Sequence, residues 1–287
     1  LTIQDITLAQ VQHTYHGDVA ALRDITLHIG KGVFGLLGPN GAGKTTMMRI
    51  LATLLPPSEG EIRVGPFSVT DKEDRHRIRT CMGYVPQDDP SYPHLSGREF
   101  LEYMAIAKCI GPARLRRREV DRAIDTMGLT NFAHRRIQTY SGGMKRRVAV
   151  AQALLGSPQV LIADEPMAGL DPMERMRFRS FVGELSRECI VVVTSHILED
   201  IADMCDVVAV LQHGRLAYAG RPAGLAALAQ GFVWELAIGL PYRTDCLVLR
   251  TKAGVSHRIL APESPHAEAE PVAATMEDGY FWLIREP

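Results

Sequence analysis

The sequence has no apolar stretch long enough to cross a bilayer. Its longest runs, such as Ile190–Val193 and Val207–Leu211, fall far below the ~20 residues that a spanning helix needs, so a chain soluble by itself is expected. Leu1 to Tyr15 lacks a basic segment followed by an apolar one, which argues against a secretory signal there, and the first residue is Leu rather than Met, as in a trimmed chain. The five cysteines (Cys81, Cys109, Cys189, Cys205, Cys246) are scattered, odd in number and form no Cys-x-x-Cys pair. That reads as a reducing compartment with no cysteine metal site. Net charge is nearly absent, with 32 Lys and Arg against 33 Asp and Glu. A nucleic-acid binder acting through whole-domain charge is therefore disfavoured, although a local basic stripe is not. There is no internal repeat and no long low-complexity tract.

What is there suits one large domain, or one domain with a small appendage: 287 residues, 46% hydrophobic and 23% charged. Apolar and polar residues alternate through Ile3, Ile6, Leu8 and Val11, as in half-buried strands, and Leu22–Ile29 is a second strand candidate before the Gly30-Lys31-Gly32 turn. Val33–Leu37 is almost wholly apolar, the habit of a strand buried on both faces. Helical spacing follows from Lys44 to Leu55. The stretch from about Asp71 to Gly156 is rich in Arg and Glu, with helical periodicity over Arg98–Lys108 and Leu115–Met127 and a loop holding Pro86, Pro90 and Pro93. Strands return at Val160–Ala163, Ile190–Thr194 and Val207–Leu211, separated by helical stretches. Alternation of this kind predicts an α/β fold with a mainly parallel sheet and a helical insertion. Beyond Pro222 the pattern predicts a short helix at Leu225–Ala229 and strands at Val233–Ile238, Cys246–Thr251 and Ser256–Leu260, with a turn at Lys252-Ala253-Gly254. Pro262–Pro271 reads as a loop, and Asp278-Gly279 as the turn of a closing hairpin.

Three segments carry chemistry. Gly38-Pro39-Asn40-Gly41-Ala42-Gly43-Lys44-Thr45 fits the phosphate-binding pattern Gly-x-x-x-x-Gly-Lys-Ser/Thr, between a buried strand and a helix. Its glycines let successive N–H groups turn toward phosphate oxygens, and the following helix adds the positive end of its dipole. Lys44 would reach the β- and γ-phosphates and Thr45 would offer its hydroxyl to Mg²⁺. Val160–Ala163 ends in Asp164 and Glu165, where the first carboxylate would hold Mg²⁺ and the second accept a proton from an attacking water. Tyr140-Ser141-Gly142-Gly143-Met144 opens a helix with a good N-cap and uncovered N–H groups, a second anion-binding helix end. One nucleotide does not need two such ends from one domain, and a second protein copy accounts for the excess.

With these motifs, the chain from Leu1 to Pro222 resembles an ATP-binding cassette (ABC) ATPase. Gly38–Thr46 (with Thr45 and Thr46) matches the Walker A loop, Gln87 the Q-loop, and Tyr140–Met144 the signature motif. Val160–Pro166 matches Walker B, Ala168–Asp171 the D-loop, and His196 the switch histidine, while Tyr15 stands where the family places an adenine-stacking aromatic. Tyr140 and Met144 replace the signature's usual Leu and Gln, and Met167 replaces the Thr that usually follows the Walker B proline. The resemblance implies a P-loop NTPase ABC ATPase fold with a RecA-like core, an antiparallel β subdomain and a helical subdomain (about 88–156) within residues 1–222. Residues 223–287 would form a small β-rich C-terminal appendage.

The resemblance further implies ATP and Mg²⁺ as ligands and a head-to-tail dimer with a second ABC ATPase subunit, expected to be a homodimer. ATP would lie between Tyr15 with Gly38, Pro39, Asn40, Gly41, Ala42, Gly43, Lys44, Thr45 and Thr46 of one subunit and Ser141, Gly142, Gly143 and Met144 of the other. Glu165 would be the base, assisted by His196 and Gln87. Thr45, Gln87 and Asp164 would serve the metal, and Asp171 would couple the two sites across the dimer. Gly35–Asn40 and Tyr84–Gly111 resemble bacterial drug- or sodium-efflux exporters. The chain would then power export from the cytoplasmic face of the membrane through a separate integral permease, with no nucleic-acid partner. The rival is a soluble ABC ATPase acting on ribosomes, DNA or iron–sulfur assembly. A single cassette, no long coiled coil and near-neutral charge speak against it. Arg114–Arg118 matches no family motif and reads as a solvated helix face, with contact with lipid headgroups as the alternative.

Overall fold

A computed structural model of the chain describes residues 2–17, 19–88, 92–243, 246–252 and 256–285. In chain order, β1 (Asp5–Tyr15) and β2 (Val19–Gly30) precede β3 (Gly32–Leu37), α1 (Lys44–Leu51), β4 (Glu59–Val64), β5 (Phe67–Ser68), α2 (Lys72–Cys81) and β6 (Met82–Val85). Helices α3 (Gly97–Ala107), α4 (Ala113–Thr126) and α5 (Gly142–Leu154) intervene before β7 (Val160–Ala163). Then come α6 (Pro172–Leu185), β8 (Ile190–Thr194), α7 (Leu198–Met204), β9 (Val207–Gln212) and β10 (Arg215–Gly220). The C-terminal part holds α8 (Pro222–Ala227), β11 (Val233–Ala237), β12 (Leu247–Lys252), β13 (Ser256–Leu260), β14 (Glu270–Pro271) and α9 (Met276–Ile284).

The central sheet runs β10-β9-β3-β8-β7-β6, parallel except for the antiparallel edge pair β9–β10. Both β7 and β8 are buried at every position, as a parallel sheet covered on two faces requires. Side chains alternate across it. Val160, Ile162 and Val192 face α1 and the antiparallel sheet β2-β1-β4-β5, while Leu161, Ala163, Val191 and Val193 face α5, α6 and α7. Each Val, Leu or Ile among them contributes about 1.5–3 kcal/mol by leaving water. The close approach of α7 depends on Gly35, since a Cβ there would lie 2.8 Å from Cys205 Sγ and from Ile201 Cγ2.

Helices α3, α4 and α5 form the insertion between β6 and β7, and their apolar faces join the same core. Ser96 caps α3 in a reciprocal box with Glu99, which fixes where that helix begins. Helix α1 stops at Leu51, short of the expected Leu55, because Thr53 adopts a left-handed φ of 59°.

At the C-terminus the strands pair in the order β12-β13-β11-β14, and Pro271 pairs at an edge, where its missing N–H costs nothing. The expected hairpin at Asp278-Gly279 is not formed, and these residues lie inside α9. Thr275-x-x-Asp278 is a capping box, with the Asp278 carboxylate accepting from the Thr275 N–H at 2.6 Å and Thr275 Oγ1 from the Asp278 N–H at 3.3 Å. Gly279 serves helix packing rather than a turn, because a Cβ there would sit 1.9 Å from the Leu225 carbonyl of α8. Asp278 is buried and meets Arg258 of β13 through two hydrogen bonds of 2.9 and 2.6 Å, so α9 is tied to the sheet. Met276 and Tyr280 of α9 enter the main core. Pro90 of the proline-rich loop, and Ala253 and Gly254 of the predicted turn, lie outside the described residues.

Candidate functional site

The phosphate loop joins the C-terminal end of β3 to α1. Gly38, Gly41 and Gly43 have φ of 149°, 80° and 103°, and a Cβ at Gly38 or Gly43 would strike the Leu211 or Ala21 carbonyl at 2.3 and 2.4 Å. The loop can therefore be made with glycine and with little else. Gly43 is the N-cap of α1 and supplies no side-chain cap, leaving the first helical N–H groups open to an anion. Lys44 Nζ donates to the carbonyls of Gly38 (2.6 Å) and Pro39 (3.0 Å). Burial pulls this ammonium below its ordinary range, against the opposing attraction of Glu165 and Asp164.

A cleft of about 390 Å³ opens beside the loop. It is lined by Tyr15, Asn40, Gly41, Gly43, Lys44, Thr45, Thr46, Gln87, Asp164 and Glu165, together with Val19, Ala20 and Ala21. The cleft thus gathers most of the nucleotide and metal residues expected from sequence. The Tyr15 ring is partly exposed at its edge, steadied by a hydroxyl–hydroxyl hydrogen bond to Thr46 (3.1 Å) and an edge contact with His13.

Asp164 and Glu165 leave β7 into this cleft. Asp164 is 3% exposed; its Oδ1 accepts from Thr194 Oγ1 at 2.6 Å, and its Oδ2 is buried with no hydrogen-bond partner among the described residues. A buried carboxylate oxygen without a donor is costly. Thr45 and Gln87 line the same cleft, and with the hydroxyl and amide oxygens these residue types can offer, the set of possible donors is all oxygen and suits Mg²⁺. Glu165 adopts a left-handed φ of 51°, and its N–H is held by Thr194 Oγ1 at 2.8 Å. Glu165 Oε2 lies 2.5 Å from His196 Nδ1, so the expected base and switch histidine meet within one chain.

Ser141 caps α5, accepting from the Met144 N–H at 3.2 Å. Ser141, Gly142, Gly143 and Met144 line no part of the cleft, and Ser141 and Gly142 face outward. Tyr140 is buried where the insertion folds back, donating its hydroxyl to the Phe132 carbonyl at 2.8 Å beside Gly97. The tyrosine thus acts as an anchor on the protein side and leaves the outward face of the motif unchanged. Asp171 is the N-cap of α6, accepting from the Glu174 N–H at 2.8 Å, with Pro172 at the first helical position.

Two residues in the machinery had no assigned part in the sequence reading. Thr194 joins both carboxylate residues through one hydroxyl, and its signal was a lone hydroxyl ending the apolar run Ile190–Val193. Arg146 of α5 is buried and donates to the carbonyls of Pro86 (2.6 Å), Gln87 (3.3 Å), Pro166 (3.1 Å) and Asp164. One guanidinium therefore ties the signature helix to the Q-loop and the Walker B segment. Nothing in Lys145-Arg146-Arg147 singles it out, because the choice depends on which side of α5 faces the core.

The profile of the ABC transporter family matches residues 22–168, about half of the chain. The chain belongs to the ABC transporter family. It is an ATP-binding cassette of that family and an ATP hydrolase, with the ABC ATPase fold. The cassette is similar to the bacitracin transport ATP-binding protein BcrA of Enterococcus faecalis, 34% identical over 204 residues covering 70% of this chain. The match spans 64% of BcrA, just under two thirds of its length. Among solved structures it is similar to CbiO1 of Clostridium perfringens, part of the CbiONQ transporter complex. That match has a TM-score of 0.70 and 28% identity, over 78% of this chain and 91% of the other. It is also similar to the cassette MJ0796 in a dimeric post-hydrolysis state bound to ADP and Pi. Here the TM-score is 0.68 and the identity 26%, over 75% of this chain and 98% of the other. No described helix is long and apolar enough to cross a membrane.

Proposed function

We propose that this cassette powers an exporter, working as a head-to-tail dimer on the cytoplasmic face of the membrane with a separate integral permease. One observation carries the reading: most of the ATP-binding residues and both carboxylates share one cleft, while the signature helix end of the same chain is exposed and lies outside that lining. A second copy would bring its Ser141, Gly142, Gly143 and Met144 to the nucleotide and close the site. Similarity to BcrA, a bacitracin transport ATP-binding protein, supports a drug as the cargo, and similarity to CbiO1 supports assembly into a transporter complex. In this reading residues 1–222 are the ABC ATPase domain, with the helical subdomain at about 88–156, and residues 223–287 are its appendage.

Lys44 and the loop N–H groups would bind the β- and γ-phosphates, and Tyr15 would stack on adenine. Thr45, Asp164 and Gln87 would hold Mg²⁺, which when bound supplies positive charge against the phosphates. Glu165 takes a proton from the attacking water, held in place by its N–H bond to Thr194 and by His196 at its Oε2. Asp171 would lie across the dimer interface and couple the two sites. Gln87 sits beside a groove of about 560 Å³ lined by Leu54, Tyr84, Pro86, Tyr92, Phe100 and Met104 among others, where the sheet meets the insertion. A permease segment seated there would sense the nucleotide through Gln87 and Arg146. The test is affinity purification of the Glu165→Gln form with ATP and Mg²⁺ from detergent-solubilised source cells. Co-purification of a multi-span membrane protein supports the proposal, and ribosomal or other non-membrane partners overturn it.

A further inference from the structure

The α3–α4 hairpin ends in a surface that the nucleotide chemistry does not use. Arg98 near the start of α3 pairs with Asp121 toward the end of α4 at 2.5 Å, so the helices are antiparallel. The end of α3 and the start of α4 therefore lie together. Arg114, Arg117 and Arg118 share one face of α4 by their i, i+3 and i+4 spacing, and all are exposed. Among the described residues these guanidiniums have neither a hydrogen bond nor an ion pair. Their neighbours on the same helix are engaged: Arg116 donates to the Ile110 and Gly111 carbonyls, and Arg122 to Glu119 and the Leu154 carbonyl. The free cations also crowd the wrong end of the helix. The N-terminus carries the positive pole, and no acidic residue stands in the first turn to offset it. Beside them Leu115, Ile106 and Tyr103 expose 45%, 59% and 50% of their surface.

We infer that this end of the hairpin rests on the anionic surface of the membrane. The arginines would meet lipid phosphates while Leu115, Ile106 and Tyr103 enter the headgroup layer. The pairing of unneutralised cations with exposed apolar and tyrosine side chains is what such a layer accommodates. Tyr103 also lies 5.5 Å, ring to ring, from Tyr92 of the groove assigned above to the permease, so the two contacts would be continuous. The inference adds to the membrane-side placement proposed above, and vesicles containing no permease test it separately.

The experiment is co-sedimentation of the full chain with vesicles of equal parts phosphatidylglycerol and phosphatidylcholine, against phosphatidylcholine alone, at about 0.1 M salt. Preferential binding to the anionic vesicles is expected. Each arginine near such a surface is worth roughly fivefold in partition. The triple variant Arg114→Gln, Arg117→Gln, Arg118→Gln should therefore lose about 10²-fold, while triple Arg→Lys keeps most of the binding. ATP turnover should be unchanged in both, because these residues lie outside the cleft. Equal binding to both vesicle types, no binding, or an unaffected Gln variant overturns the inference. Binding to a homopolymeric RNA in place of the vesicles overturns it as well.

Discussion

Thr194→Val puts the carboxylate arrangement to its sharpest test. The side chain is 1% exposed and nearly isosteric with valine, so the substitution removes a hydroxyl and opens no cavity. That hydroxyl donates to Asp164 Oδ1 at 2.6 Å and accepts from the Glu165 N–H at 2.8 Å. A hydrogen bond to a charged carboxylate is worth about 1.5–3 kcal/mol, and a buried N–H left unpaired costs about 1–3 kcal/mol. Part of this is offset by the more favourable burial of a methyl group, leaving a net loss of about 3 kcal/mol. For a domain of this size that lowers the melting temperature by roughly 6–10 °C. Catalysis should suffer more than binding. Glu165 has a left-handed φ with its N–H on that hydroxyl, and without the bond its carboxylate would lose the position proposed above for taking the water's proton. We expect kcat for ATP to fall about 10- to 100-fold with KM changed by less than about threefold, read in a steady-state phosphate-release assay. Thr194→Ser keeps the hydroxyl and should retain most of both properties. A Val variant with wild-type melting temperature and kcat would refute the reasoning.

Further outcomes follow from the same geometry. Glu165→Gln should keep ATP binding and lose about 10²-fold or more in hydrolysis, accumulating as an ATP-bound dimer on size-exclusion chromatography, while Lys44→Ala should weaken ATP binding itself by equilibrium titration. Gly279→Ala forces a Cβ against the Leu225 carbonyl and should push α9 off α8, lowering the melting temperature by several degrees in a thermal scan. Lys108 is buried where it donates to the Ala153 and Leu155 carbonyls, and burial depresses its pKa from an ordinary 10.5 to about 8. Between about pH 8 and 10.5 the unfolded chain binds this proton more tightly, so stability from Lys108 rises across that window, by at most about 3 kcal/mol. Subtracting the denaturant-derived stability of Lys108→Met from that of the wild type at each pH isolates this rise from buried thiols such as Cys189, whose pKa burial pushes up to about 12; a flat difference would contradict it.

Much of the cassette was legible because its signals are local. A glycine-rich turn between an all-apolar strand and a helix is dictated by backbone sterics, and Gly38 and Gly43 do meet neighbouring carbonyls that exclude any other residue. Strands β7 and β8 declared themselves because both faces are covered, leaving unbroken apolar runs. Asp278-Gly279 is a turn dipeptide that lies inside α9 instead, because Asp278 also completes a capping box with Thr275. Local sequence could not choose between them, since the choice rests on Leu225 and Arg258, which are distant in the chain. Tyr140 departs from the family's usual Leu, and its contacts with the Phe132 carbonyl and Gly97 give the tyrosine a structural part.

By itself the sequence determined the periodicities, the glycine-dependent phosphate loop, the order of the motifs and the types of residue that can meet a nucleotide, because each depends on the backbone and near neighbours. Tertiary structure alone decided that Thr194 serves both Asp164 and Glu165, that Arg146 ties three segments together, and that the exposed signature helix end lies outside the lining of its own chain's cleft. Those relations join residues from separate strands and helices, and they come into being when the central sheet brings its strand ends to one edge.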